Sequence, residues 1–385
     1  YLDHNATTPV RPEVLEAMLP YLRENYANPS SVHSLGQKAR KAIEEARTQV
    51  AALIGAAKPE EIVFTSCGSE ADMLGVFGAA QSVFKRSGEA KNRVVTTLIE
   101  HEAIHGACRQ LASRGFEIVK VGADRDAKVS PSEIEGAIDE KTALVSVMLA
   151  NNEVGTIQPV RDVASACRRR SVVVHTDAVQ AVGKIPVDVR ALGVDLLSLS
   201  GHKFNAPKGV GALYVRSGTT LEPVVPGHQE RGLRGGTENT AGIVGLGAAA
   251  ELARKELDSH RVELLRLRER LEKGVLSLPR VRRTSMAEDR LPGACHFCFE
   301  GVDGHNLVVG LDLEGVCVSS GPACLGGGTG LSHVLDAMGV PRGLGAGALR
   351  VSLGWGTSEK DVDRFLAVLP NILEKLRAAS PERVS

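Results

Sequence analysis

Apolar and polar positions alternate in two rhythms along this chain. Over residues 35–54 the apolar residues recur at helical spacing and stop at Gly55, which predicts an amphipathic helix. The run Glu61-Ile-Val-Phe-Thr then reads as a strand, followed by a Ser-Cys-Gly-Ser turn and an Ala/Gly-rich helix from about Glu70. Arg93-Val-Val-Thr-Thr, Ala143-Leu-Val-Ser-Val-Met, Val172-Val-Val-His-Thr and Leu196-Leu-Ser-Leu-Ser read as further strands, with helical segments between most of them. Such alternation predicts an α/β fold with a mostly parallel sheet, buried on both faces, whose functional groups gather at the carboxyl ends of the strands. A long amphipathic helix is expected from Thr240 to Leu278. After Pro279 the pattern turns α+β: a strand near 294–299, a helix near 304–313, a strand near 315–319, a glycine-rich loop, then a short helix, a strand and a terminal helix. The expected division is a large domain over 15–255 and a smaller one formed by 1–14 and 256–385.

Composition narrows the class. The chain has 385 residues, enough for two or three domains at about 150 residues each. Aromatics are only 3% of it, so the core must be built from Val, Leu, Ile and Ala. With 46 basic against 46 acidic residues the formal charge is zero, which removes the usual footprint of a protein that binds nucleic acid or anionic membranes directly. No apolar run reaches the roughly 18–20 residues that span a bilayer. No basic, apolar leader follows Tyr1, and a cytoplasmic setting is expected. The seven cysteines, an odd number scattered over a long chain, suit a reducing compartment rather than a disulfide framework. Cys295-His-Phe-Cys298 has the spacing of a metal or redox pair, but it lies in a strand-like run. Residues three apart on a strand face opposite ways, and no second pair completes a tetrahedral site, so no metal is expected. Six of the seven cysteines read as small buried hydrophobes.

Several stretches carry chemistry, most of them where strands end. Lys203 follows a buried strand in a Gly-His-Lys turn, where desolvation can free its amine for a Schiff base; an ordinary surface lysine is the bland alternative. Asp177 ends the strand of His175 and needs a cationic partner or hydrogen bonds, unless it simply caps a helix. The turn of Gly68 and Ser69 offers backbone amides and a hydroxyl as a phosphate seat. His101 stands after a strand, able to stack on a planar group or shuttle protons, or to sit satisfied on the surface. Cys324 opens a loop with four glycines in the next six residues, and an accessible cysteine there suits nucleophilic attack. Arg350 lies on a strand, where its guanidinium could grip a carboxylate bidentately. Gly245-Leu-Gly247-Ala-Ala-Ala250 matches a dinucleotide-binding pattern, but inside a helical run with no strand leading into it, so that reading fails.

Taken in order, Tyr1-Leu-Asp-His-Asn-Ala-Thr-Thr-Pro9, Glu100-His101, Asn151-Asn-Glu-Val-Gly155, His175-Thr-Asp177-Ala-Val-Gln180, Ser200-Gly-His-Lys203, Arg234-Gly-Gly-Thr237-Glu-Asn, Ser319-Ser-Gly-Pro-Ala-Cys324 and Arg350-Val-Ser-Leu-Gly resemble the cysteine desulfurases of the class-V aminotransferase family, in their long-loop branch. The resemblance covers nearly the whole chain. It implies a fold-type I homodimer with a seven-stranded, mostly parallel sheet and pyridoxal 5′-phosphate as cofactor. By position, Lys203 would form the Schiff base, Asp177 pair with the pyridine nitrogen, Gln180 bond the phenolate oxygen and His101 stack on the ring. Gly68, Ser69, Ser200 and His202 would hold the phosphate, with Thr237 reaching over from the other subunit. Asn152 and Arg350 would position L-cysteine, and Cys324 would take its sulfur as a persulfide for a sulfur-acceptor protein.

The chain departs from the family pattern in places. Ser69 stands where a threonine is usual, Pro322 replaces a serine, and Leu-Gly-Gly-Gly-Thr-Gly-Leu follows Cys324 in place of small hydroxyl residues. The nine-residue spacing from Cys324 to His333 still matches the long loop. The alternatives are a selenocysteine lyase with nearly the same machinery and a sulfur-relay scaffold whose cofactor site has decayed. Iron–sulfur cluster assembly, tRNA thiolation and sulfur modification of DNA all draw on such enzymes.

Overall fold

The computed structural model describes residues 1–320 and 331–379. Among the described residues ten strands make two sheets. β1 (Ile62–Thr65), β2 (Arg93–Thr97), β3 (Glu117–Val121), β4 (Thr142–Ser146), β5 (Val173–Asp177), β6 (Leu196–Ser200) and β7 (Gly211–Val215) form the larger, in the order β1-β7-β6-β5-β4-β2-β3. β2 to β6 run parallel, and β7 runs antiparallel to both of its neighbours, β1 and β6. Neighbouring residues on one strand feed different cores: Val94, Leu144, Leu196 and Leu213 enter one, while Val95, Val145, Leu197 and Ala212 enter the other. Apolar residues on both faces are what a sheet covered by helices on both sides requires. The expected α/β class and mostly parallel sheet are found.

The smaller sheet is antiparallel, β8 (Val281–Arg283), β9 (Ala294–Phe299) and β10 (Ala348–Ser352), in the order β10-β9-β8. On β9, Cys295 joins Phe297 and Phe299 in the core beneath this sheet, whereas Cys298 points into the core of the larger one. The two thiols therefore diverge, as the strand reading required. Burial pushes the Cys108 and Cys167 thiols up to about 12, in line with packing roles. The reading of six buried cysteines holds for four and fails for two, because Cys317 is exposed and Cys67 only half-buried.

Helices confirm the long-period pattern. The helix Ser34–Leu53 buries Ala39, Ala42, Ile43, Ala46 and Val50, and Gly55 follows it with φ +67°, the left-handed turn that glycine adopts without penalty. It packs on the 37-residue helix Thr240–Leu276, where Gly247 lies so close that a Cβ would fall 2.7 Å from Ala46 Cα. Gly245 and Gly247 are thus helix-packing glycines, as their setting indicated. The segment 315–319 is not a strand. Only Ser319 pairs, with Arg350, because the free edge of β10 is shared: Asp3 bridges Ser352 farther along the same edge. β3, β7 and β8 were not read from the pattern; β3 and β7 are Glu-Ile-Val-Lys-Val and Gly-Ala-Leu-Tyr-Val, whose apolar content signals strands on inspection.

A strap of irregular chain joins the two sheets. Leu2 is buried in the smaller core and its N–H donates to the Cys317 carbonyl; six residues on, the Thr8 N–H and hydroxyl both donate to the His202 carbonyl beyond β6. Among the described residues no helix is long and apolar enough to cross a membrane.

Candidate active site

The loops after β1, β2, β4, β5 and β6 converge at one edge of the large sheet, where an open α/β sheet builds its sites. After β1, Gly68 begins the helix Gly68–Met73 with no side-chain cap, which leaves its first amides to another acceptor. Gly68 is packed so tightly that a Cβ would meet Val179 Cγ2 at 2.9 Å and Ser200 Cβ at 3.1 Å. The Ser200 hydroxyl, at the end of β6, is buried without a hydrogen-bond partner among the described residues, and the Ser69 side chain is exposed next to this turn. Uncapped amides, an orphaned hydroxyl and a backbone with no room for a side chain fit a bound oxyanion.

Lys203 sits in the turn Gly201–Lys203 and its Nζ donates to the Asn5 carbonyl at 2.8 Å and the Ala6 carbonyl at 2.7 Å. Burial, reinforced by the Arg350 cation, pushes its amine down to about 8, against the pull of Asp177 and Asp3. Asp177 ends β5 in register with Ser198 on β6; its Oδ1 accepts from the Val179 N–H at 2.9 Å, the local turn of the bland reading. Burial raises its carboxyl above the usual range, while His101, the Val179 amide and Lys203 oppose the rise. Deeper still, His175 Nε2 bonds Ser198 Oγ at 2.9 Å and lies 3.8 Å from Asp72 Oδ1. Burial drives this imidazole down to about 3, and burial together with the Asp177 charge raises the Asp72 carboxyl well above the usual carboxylate range.

His101 caps the helix Glu102–Ala112, its Nδ1 accepting from the Ala103 N–H at 3.2 Å. An accepting Nδ1 puts the proton of the neutral ring on Nε2. His202 Nδ1 lies 3.1 Å from Thr7 Oγ1, and burial followed by the Lys203 charge pushes its imidazole down to about 4. Gln180 is buried, with Nε2 donating to the Asn5 carbonyl at 2.9 Å. Arg350 is already engaged: Nη2 pairs with Asp3 at 2.9 Å and Nη1 donates to the Asn152 carbonyl at 3.1 Å, while its Nε is buried without a partner. A bidentate grip on a carboxylate must therefore share this guanidinium with Asp3.

One edge thus gathers Gly68, Ser69, His101, Asn152, Asp177, Gln180, Ser200, His202, Lys203 and Arg350. Thr237 stands apart, exposed on the loop before the helix Thr240–Leu276. That loop is tied down by Arg234, which donates to Glu70 at 2.8 Å, and by Glu230, which accepts from Arg47 at 2.7 Å and from the Phe64 N–H at 2.8 Å. Cys324 lies outside the described residues. The contact residues missed from sequence are Asn5 and Lys184, which bond one another at 2.9 Å. The one signal for them was that Asn5 lies inside the Tyr1–Pro9 motif.

The chain matches the aminotransferase class-V family over residues 1–365. It is 45% identical over 382 residues to a protein named cysteine desulfurase IscS from Methanosarcina thermophila, covering 99% of this chain and 93% of that protein. A solved NifS-like protein is 40% identical and superposes with a TM-score of 0.90, covering 98% of this chain and 99% of the other. A structure described as SspA in complex with cysteine is 35% identical with a TM-score of 0.80, covering 92% of this chain and 98% of that one. Extended similarity at this level, on the same fold, makes the chain a member of the class-V aminotransferase family, among the cysteine desulfurases.

Proposed function

We propose that the protein is a pyridoxal 5′-phosphate-dependent cysteine desulfurase that converts L-cysteine to L-alanine and loads the sulfur onto Cys324. The observation that carries the cofactor is the Lys203 amine, brought down to about 8 after β6, with buried Asp177 ending the adjacent β5 and an orphaned Ser200 hydroxyl at the oxyanion seat. Those three features match the aldehyde, the ring nitrogen and the phosphate of this cofactor. When bound, pyridoxal phosphate supplies an electron sink for the pair left at the substrate Cα.

The chain's own groups then have distinct tasks. Gly68, Ser69, Ser200 and His202 hold the phosphate, joined by Thr237 from a second subunit of a homodimer. The Asp177 carboxylate would hold a proton on the ring nitrogen, the Gln180 amide would donate to the phenolate oxygen, and His101 would lie against the ring. Arg350 and Asn152 orient L-cysteine, with Arg350 on its carboxylate. The Lys203 amine, whose pKa the fold brings down to about 8, takes the Cα proton in its neutral form. The Cys324 thiolate attacks the substrate Sγ. The new S–S bond forms as Cβ–Sγ breaks, the bonding pair leaves with carbon, and protonation completes alanine. The persulfide passes to a sulfur-acceptor protein in the cytoplasm. The large unit 15–255 carries the cofactor groups, and the small unit of 1–14 and 256–385 carries Arg350 and Cys324.

Sulfide and alanine release from L-cysteine tests this. Cys324→Ala is expected to retain the visible absorption of bound cofactor while losing sulfide release by roughly a hundredfold or more. Lys203→Ala is expected to lose both. Sulfide release that survives intact in Cys324→Ala overturns the persulfide step.

A further inference from the structure

Lys184 is a second lysine beside the catalytic one, and among the described residues no carboxylate pairs with it. Its Nζ donates to Asn5 Oδ1 at 2.9 Å and to Gln180 Oε1 at 2.7 Å. Burial and the cations of Lys203 and Arg350 push its amine well below the ordinary lysine range. A desolvated lysine held only by two amide oxygens is costly in a fold, so what those oxygens belong to matters.

The first oxygen belongs to Gln180, whose Nε2 donates to the Asn5 carbonyl. A carbonyl can only accept, so the NH2 end of Gln180 must face Asn5 and its oxygen must face Lys184. Turned over, the side chain would set oxygen against oxygen at Asn5 and nitrogen against the lysine. The Asn5 carbonyl therefore sets the orientation and the Lys184 contact holds the oxygen end in it, so that Gln180 keeps a second N–H with no partner among the described residues.

The second oxygen belongs to Asn5, on the irregular strap. The Asn5 carbonyl accepts from both Gln180 and Lys203. No regular secondary structure holds this stretch of backbone. It is fixed by the side chain, bonded to Lys184 and, at 3.3 Å, to the Asn152 carbonyl, and by its N–H on Ser352 Oγ at 2.9 Å. One amine thus touches both the oxygen end of Gln180 and the side chain that helps to seat the resting Lys203 amine.

We propose that Lys184 is a positioning residue that holds Gln180 as a dedicated hydrogen-bond donor toward the cofactor and anchors the Asn5 carbonyl under Lys203. The proposal rests on the cofactor reading above. Pyridoxal phosphate is titrated onto the cofactor-free full-length protein, with melting temperature as the control for folding. Lys184→Met is expected to weaken cofactor binding about tenfold, and Lys184→Arg to stay within about threefold of the parent protein, because it keeps a donor. The specific signature is coupling. In a Gln180→Leu background Lys184→Met should cost less than about threefold more, since the group it orients is gone. If Lys184→Met does not fold, Lys184→Gln carries the same comparison, expected to weaken binding about threefold beside Gln180 and not at all beside Leu. Unchanged binding in Lys184→Met, or a loss equal with and without Gln180, overturns the proposal. A parent protein that takes up no pyridoxal phosphate overturns the cofactor reading along with it.

Discussion

The carboxyl edge of the large sheet and the strap Leu2–Thr8 meet at the same site, yet they are held by different means. Asp177 and Ser200 are set by parallel and antiparallel ladders, with β6 buried at every position, and Lys203 stands in the turn directly after β6. The strap has no ladder. It is fixed by single bonds reaching across hundreds of residues, such as Asn5 N–H to Ser352 and Arg350 to Asp3. A ladder tolerates the loss of any one contact, since its neighbours keep register; the strap loses alignment when one bond goes. The sheet edge therefore defines which groups are present, and the strap defines how substrate-side and cofactor-side groups are aligned.

Three measurements break or sharpen this contrast. The largest effect is expected at the sheet edge. Asp177→Asn removes the buried charge that would face the cofactor ring, at a cost of about 3 kcal/mol, so turnover should fall roughly a hundredfold while the melting temperature holds or rises. A loss below about threefold would mean that Asp177 is not the ring's partner. Next comes the proton on Lys203. Its amine is held down at about 8, so below that pH the ammonium dominates and cannot attack a carbonyl. The rate of pyridoxal phosphate uptake by cofactor-free protein should rise about tenfold per pH unit from 6 to 7 and level off above 8. A plateau displaced to pH 10 would show an amine that the fold does not depress. The sign for stability is the same. Between about 8 and the ordinary lysine value the unfolded chain binds the extra proton, so the cofactor-free fold gains stability as pH rises through that window. The smallest effect belongs to the strap. Asp3→Asn weakens the partly buried pair with Arg350 by about 1.5 kcal/mol, and KM for L-cysteine should change roughly tenfold with kcat nearly constant. A loss confined to kcat would assign Asp3 to the chemical step.

Much of the site was legible in the sequence because sheet-edge residues lie close to the strands that carry them. Asp177 ends β5 and Lys203 follows β6 by three residues, so a strand reading fixes their place. The strap was not legible in the same way. Nothing within a few residues of Asn5 announces bonds to Gln180, Lys184, Lys203 and Ser352. Lys184 looks like a surface lysine after a glycine turn until the fold wraps the strap over it. Segment 315–319 failed for a related reason: its Val-Cys-Val run has strand propensity, but Asp3 occupies part of the edge it would need, and propensity cannot report a competitor for hydrogen bonds.

The helix Thr240–Leu276 carries one last implication. Its first third places Ile243, Leu246, Ala249 and Ala250 in the core of the large sheet, and its last third places Leu264, Leu267, Leu271 and Val275 in the core of the small one. A single rod about 55 Å long is thus a structural wall of both compartments. Neither compartment can melt without stripping apolar cover from a helix the other still uses, so heat should dismantle the two together, as one calorimetric transition rather than two.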